Sequence, residues 1–341
     1  MADPLEATPS LAPPPKRAVR SRSQNVNFKT VEAYRSSGLG VCADTRKKTT
    51  IAHNTHTFAV CTAMQGWRKT MEDASFNFSA NLTGLGPCDV YGVFDGHNGD
   101  HSAQFCAERF PNVLIEEFAK SVVSCEERGV LEALKASFCR VDEEYEKSST
   151  PPPGSGSTAL IMIVTQTQII VANAGDCRAV RYSGASGYVA LSRDHKPNLE
   201  SEKERITKAG KTVENGRIVG SQGSTLSVSR GIGDYSFKDM PSLPRFEQAV
   251  SCEPEVTVVS RSCDDRFVVV GCDGIWEENT DTVEEKKKEA FVGKVLRSVP
   301  EKDFEKAKLE CEYILGEIMA PVIPATFGVD NMTLIGAFFI S

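Results

Sequence analysis

Four carboxylates in this chain stand at the ends of apolar runs, where a sheet edge would present them together. Asp95 closes Val-Tyr-Gly-Val-Phe-Asp, and Asp176 follows Ile-Ile-Val-Ala-Asn-Ala-Gly. Asp273 follows Phe-Val-Val-Val-Gly-Cys, and Asp330 precedes the apolar run that finishes the sequence. Any one of them alone reads as a turn or cap residue. Their shared placement does not. Glycine follows two of them, in Asp95-Gly96 and Asp273-Gly274, and its freedom lets a carbonyl turn toward the same point as the carboxylate. Glu72 and Asp73 add two adjacent acids after another strand-like run. Two like charges ~4 Å apart cost about 4 kcal/mol at an effective dielectric of 20, so a cluster of this kind requires cations. Oxygen donors alone select hard ions, Mg or Mn. Glu72, Asp95, Asp273 and Asp330 carry one negative charge each, which balances two divalent ions and predicts a binuclear centre.

Two such ions, ~3.5–4 Å apart, would hold a water between them and lower its pKa toward neutrality. The hydroxide could then attack phosphorus in line, with no nucleophile from the protein. Arg68, four residues before Glu72, offers a guanidinium fork that matches phosphoryl oxygens. His97, two residues beyond Asp95, is placed to protonate a leaving alkoxide. Rival chemistries lack their residues. There is no serine nucleophile elbow, no His-Glu-x-x-His helix and no Cys-x5-Arg loop. Gly154-Ser-Gly-Ser-Thr158 is not followed by the Gly-Lys-Ser/Thr of a nucleotide phosphate loop.

The composition permits this chemistry and excludes others. With 341 residues, 40% hydrophobic and 25% charged, the chain has ample material for a core without disulfide or structural-metal staples. A net charge of -7 argues against a general nucleic-acid binder. The 11 cysteines have no C-x-x-C spacing, and Cys61, Cys106, Cys139, Cys272 and Cys311 sit in apolar surroundings, as reduced core thiols do. No stretch reaches the roughly 20 apolar residues of a membrane span. A cytoplasmic monomer is expected, with a nuclear share if the basic tail acts as an address.

Those acids need strands to carry them. Phe58–Met64, Val90–Phe94, Ala159–Val164, Ile169–Ala174, Phe267–Gly271 and Thr333–Ile340 read as strands, several of them continuously apolar and so covered on both faces. Leu131, Leu134, Phe138, Val141 and Tyr145 have helical spacing, as do Phe304, Ala307, Cys311, Ile314 and Ile318. A third helical segment, from about His101 to Phe118, contains Pro111 and is expected to kink or split there. Residues 1–25, with Pro13–Pro15 beside Lys16, Arg17, Arg20 and Arg22, read as a disordered tail. Residues 26–56 form an extension of uncertain structure with room for one edge strand, and residues 57–341 form one domain.

At these residues the chain resembles the metal-dependent serine/threonine protein phosphatases of type 2C. The resemblance is carried, in order, by Met64-Gln-Gly-Trp-Arg-Lys-Thr-Met-Glu-Asp73, Phe94-Asp-Gly-His97, Gly156-Ser-Thr-Ala159 and Ala172-Asn-Ala-Gly-Asp-Cys-Arg178. Arg193-Asp-His-Lys-Pro197, Ser227-Val-Ser-Arg-Gly-Ile-Gly-Asp234, Asp273-Gly-Ile-Trp276 and Asp330-Asn-Met-Thr333 complete it. It implies an α+β fold in which two mainly antiparallel sheets pack as a sandwich flanked by helices, in four αββα layers. It implies that Asp95 bridges two Mn2+ or Mg2+ ions, that the Gly96 carbonyl joins the Glu72 side, and that Asp273 and Asp330 hold the other ion. Asp73 then acts through water, Arg68 binds phosphate and His97 is the general acid. Some relatives bind a third, weaker ion at positions matching Asp176, Asp273 and Glu277, though the family usually has Asp at the last. Asn98 stands where Gly is common, and Ile218–Thr225 departs from the usual flap sequence beside the cleft. The activity implied is hydrolysis of phosphoserine and phosphothreonine in phosphoprotein substrates. A catalytically silent phosphoprotein-binding module and a hydrolase of small phosphate esters are the other readings of the same residues.

Overall fold

Strand β7 shows how this sequence builds its layers. All six residues of Ala159–Val164 are buried, yet they serve two different cores. Leu160, Met162 and Val164 join one cluster, while Ala159, Ile161 and Ile163 join another. Side chains alternate across a strand, so an unbroken apolar run must be covered on both faces. One face meets a second sheet and the other meets helices.

The computed structural model describes residues 38–121, 127–148, 152, 154–184, 187–276, 285–323 and 328–340. The expected tail at 1–25 lies outside them. The chain opens with β1 (Leu39–His53), β2 (Thr57–Arg68), β3 (Ala74–Leu82), β4 (Gly86–Phe94) and the short β5 (Gly96–His97). Helices α1 (His101–Ser121) and α2 (Glu127–Glu146) follow. Next come β6 (Gly156–Ser157), β7 (Ala159–Val164), β8 (Gln168–Ala174), β9 (Arg178–Ser183) and β10 (Gly187–Ala190). Helix α3 (Glu200–Lys208) leads to β11 (Thr212–Glu214), β12 (Arg217–Val219), β13 (Thr225–Leu226) and β14 (Ile232–Gly233). The remainder holds β15 (Glu255–Ser260), β16 (Asp265–Gly271), α4 (Asp273–Trp276), α5 (Glu285–Leu296), α6 (Phe304–Ile318) and β17 (Met332–Phe339).

Two antiparallel sheets dominate. One has the order β1-β2-β17-β16-β9-β10 and the other β15-β8-β7-β4-β3. The core that takes Leu160 and Met162 of β7 also takes Val60 of β2, Val269 of β16 and Ile335 of β17, so it fills the space between the sheets. It continues to Val292 of α5 and Ile314 of α6. On the far face of the second sheet, Ile161 and Ile163 pack with Phe110 of α1 and Phe138 of α2. The layers therefore run helix, sheet, sheet, helix. Among the described residues no helix is long and apolar enough to cross a membrane, and ten cysteines are free thiols.

One element takes a form the sequence left open, and another differs from what it suggests. Residues 39–53, ambiguous on their own, form the long edge strand β1 because they pair with β2 from Leu39↔Arg68 to His53↔Phe58. Pro111 does not split the helix: α1 runs unbroken for 21 residues. An interior proline costs about 3 kcal/mol. That cost is offset by apolar residues on both sides of it (Ala103, Cys106, Phe110, Val113, Leu114, Phe118), all fully buried. Phe110 is central, stacked on Phe94 with centroids 5.5 Å apart and edge-on to Phe138 at 4.9 Å. We therefore expect Phe110→Ala to destabilise the protein by about 3–5 kcal/mol. Urea denaturation followed by circular dichroism checks this, and a loss below about 1 kcal/mol would mean that these rings do not hold α1 to the sheet.

Candidate active site

The ends of strands from both sheets meet at one edge of the sandwich. Arg68 is the last residue of β2, and Glu72 and Asp73 lie in the loop from β2 to β3. Asp95 follows β4 and Asp176 follows β8, both from the five-stranded sheet. Asp273 follows β16, and Asp330 precedes β17, from the six-stranded one. There they line a cleft of about 550 Å³, with Glu72, Asp95, His97, Asp176, Asp273 and Asp330 among its walls and Arg68 beside them. Asp73 does not line it; that residue is buried behind.

The acids are crowded. Carboxylate oxygens of Asp95, Asp176 and Asp273 all lie within 4.8 Å of one another, and so do ligand atoms of Asp73, Asp95 and Cys272. Burial pushes the Asp95 carboxyl well above its usual range, and the charges of Asp273, Asp73, Asp330 and Asp176 push it further. Burial likewise lifts Asp73 to about 7, against a hydrogen bond that the Thr333 hydroxyl donates to Oδ2 at 2.7 Å. Its other oxygen, Oδ1, is buried with no hydrogen-bond partner among the described residues. Oxygen donors held this close, one of them buried and unmatched, suit a hard divalent cation, and the residues present fit such an ion.

Two glycines permit the crowding by close approach. Neither Gly96 nor Gly274 has a positive φ, so the tight-turn expectation is corrected. A Cβ on Gly96 would overlap the Glu72 carbonyl oxygen, and one on Gly274 would overlap the Asn331 carbonyl oxygen. The absent side chains let the loops carrying Glu72 and Asp330 close on Asp95 and Asp273. Asn331 ties the same loops together: its Oδ1 accepts from the Glu72 amide, and its Nδ2 donates to the Gln65 and Thr70 carbonyls, each at 2.9 Å.

Cations already inside the protein take part. Arg68 pairs through Nη2 with Asp330 Oδ2. Burial disfavours its charge, but Asp330, Asp273 and Asp95 outweigh that and raise its pKa. Lys196 reaches Asp176 Oδ2 at 2.5 Å, and burial of its ammonium is outweighed by Asp176 and Asp273, which raise its pKa. Asp176 therefore has a fixed partner that the sequence reading did not foresee. The third position of the weaker site, Glu277, lies outside the described residues.

His97 sits in β5, which pairs with β6, which pairs in turn with β14. Its Nε2 lies 2.8 and 2.9 Å from the two carboxylate oxygens of Asp234, just beyond β14. Burial works against a charged ring, yet Asp234 prevails and raises the His97 pKa. Asp234 also escaped the sequence reading as a site residue; nothing in its local spacing links it to a histidine 137 positions earlier. Asn98 adopts φ 55 in the left-handed region that Asn tolerates. Its Nδ2 donates to the Gly154 carbonyl at 2.7 Å. The departing segment 218–225 falls in the small sheet β11-β12-β13, whose Arg217, Thr225 and Leu226 form another wall of the cleft.

An acid cluster at the shared edge of an αββα sandwich, with arginine and histidine at its rim, defines a metal-dependent phosphatase architecture. The family description Protein phosphatase 2C matches residues 59–283, and the chain belongs to this family of metal-dependent serine/threonine protein phosphatases. It is 36% identical over 279 residues to Protein phosphatase 2C homolog 2 of Schizosaccharomyces pombe, covering 80% of this chain and 70% of that one. It is 32% identical over 301 residues to Protein phosphatase 2C 1 of Paramecium tetraurelia, covering 85% and 94%. The fold is shared with the crystal structure of serine-threonine phosphatase 2C from Toxoplasma gondii, at a TM-score of 0.67 and 20% identity over 86% of this chain and 99% of that one.

The raised carboxyls set a pH dependence for the protein in chelator. A carboxyl whose folded pKa exceeds its unfolded value binds its proton more tightly when folded. Its stabilising contribution is full below the unfolded pKa near 3.8 and is lost as pH rises, for Asp73 through about 7. In chelator, wild type is therefore expected to lose more stability than Asp73→Asn between pH 4 and 7. Thermal melts at stepped pH test this; identical slopes for the two proteins would show that burial does not hold the Asp73 carboxyl above its usual range.

Proposed function

We propose that this cleft dephosphorylates phosphoserine and phosphothreonine in proteins with the help of two bound divalent ions of the Mg or Mn class. The residues that would hold them are Asp95, Glu72 and the Gly96 carbonyl on one side, and Asp95, Asp273 and Asp330 on the other, with Asp73 behind through water. When bound, such ions supply a water made acidic enough to act as a nucleophile at neutral pH. The protein's own side chains do the rest. Arg68, exposed at the cleft rim, turns from Asp330 toward phosphoryl oxygens as a two-point donor and holds phosphorus in line. His97 delivers a proton to the departing serine or threonine oxygen, without which an alkoxide would have to leave unprotonated.

The observation that carries this reading is the approach of Asp95, Asp176 and Asp273 within 4.8 Å, which water alone would not stabilise. A merely binding module would not need Asp95 crowded among like charges. Asp95→Asn keeps the shape and removes the charge. With saturating Mn and a phosphothreonine peptide, we expect kcat to fall about 10²–10³-fold. Arg68→Ala should mainly raise KM, by about 10- to 100-fold, the worth of hydrogen bonds to a charged group. Steady-state kinetics separates the two; near-full activity of Asp95→Asn would remove that residue from the centre.

A further inference from the structure

The pairing of His97 with Asp234 is a built feature. Register places His97 of β5 and Gly233 of β14 each opposite Gly156 of β6, so the side chains of His97 and Asp234 meet above one glycine. A Cβ on Gly156 would overlap Asp234 Oδ2 and lie 2.6 Å from His97 Nε2, so only glycine leaves room for the pair. Asp234 is itself held in the left-handed region, φ 56, which a non-glycine residue adopts at a cost. Its amide donates to the Ser155 carbonyl at 3.0 Å, and its own carbonyl accepts from Phe237 at 2.8 Å, so the backbone on both sides is pinned. The side chain is 1% exposed, and both of its oxygens face one imidazole nitrogen. A carboxylate buried to this degree is costly unless its partner donates to it.

Resting on the reading of His97 as the acid, we propose that Asp234 is its positioning residue: it holds Nε2–H, so that Nδ1 is the nitrogen that faces the cleft and gives up the proton. The step balances. As the oxygen of water bonds to phosphorus and the phosphorus–oxygen bond to serine or threonine breaks, the electron pair of the broken bond takes the proton from Nδ1, and the leaving group departs as a neutral alcohol with inorganic phosphate as the other product. The ring returns to the neutral form protonated at Nε2, still bound to Asp234. A carboxylate orienting a histidine from behind performs the same task in other acid–base dyads. Asp234 touches neither phosphate nor leaving group, so its effect must depend on how much the leaving oxygen needs a proton.

That dependence distinguishes positioning from mere structural support. A serine or threonine alkoxide is a poor leaving group, whereas p-nitrophenolate leaves readily without a proton. For Asp234→Asn, kcat on a phosphothreonine peptide should fall about 10²-fold, while kcat on p-nitrophenyl phosphate should change less than about 3-fold. His97→Ala should show the same selectivity, and the double variant should be no worse than His97→Ala alone. Gly156→Ala, which displaces the pair without altering either member, should reproduce the selective loss and serves if Asp234→Asn does not fold. Equal losses on both substrates by Asp234→Asn and Gly156→Ala, with His97→Ala still selective, would overturn the positioning role and leave the acid in place. An unselective His97→Ala would overturn both.

Discussion

Mutual repulsion among crowded, partly buried carboxylates is the constraint that organises this molecule. Asp95, Asp176 and Asp273 bring oxygens within 4.8 Å of one another, with Asp73 close behind. At that spacing each like pair costs about 4 kcal/mol at an effective dielectric of 20. The protein spends some of its own positive charge against this, Arg68 on Asp330 and Lys196 on Asp176. The loops around the edge hold the oxygens together, through the close approaches at Gly96 and Gly274 and the hydrogen bonds of Asn331.

The sandwich supplies the rigidity that such crowding requires. Asp95 and Asp273 sit within two residues of the end of a strand whose interior is anchored in a core, Asp95 after Val93 and Phe94, Asp273 after Val269 and Val270. Strands from both sheets converge, so neither sheet alone holds the set. Gly96 and Gly274 let the loops touch, and Asn331 bridges them by three hydrogen bonds. On the opposite rim, β5, β6 and β14 form a separate small sheet whose purpose is local: it carries His97 and Asp234 to a common point over Gly156. The acid cluster and the His97–Asp234 pair thus rest on different pieces of backbone.

Much of this was readable from residue order. Apolar runs such as Ala159–Val164 announced strands covered on both faces, and acids closing them announced the edge where they meet. Local pattern carries that information because it arises from side-chain alternation and burial. What was missed depends on pairing across the chain. For strand β1 the sequence left room for an edge strand, but its length comes from its register with β2. Helix α1 survives Pro111 because of the aromatic cluster beneath it. Lys196 and Asp234 join the site from 20 and 137 residues away, through contacts that no local spacing encodes. Glycine at 96 was legible, but the reason differs: steric room, not a turn.

The account stands most directly on anomalous diffraction at the manganese edge, from crystals of the full chain grown with that ion. It predicts two strong peaks about 4 Å apart, flanked by Asp95 and reached by Asp273, with both lost in crystals of Asp95→Asn. A map with no peak beside these carboxylates, from protein active in the same solution, would contradict it.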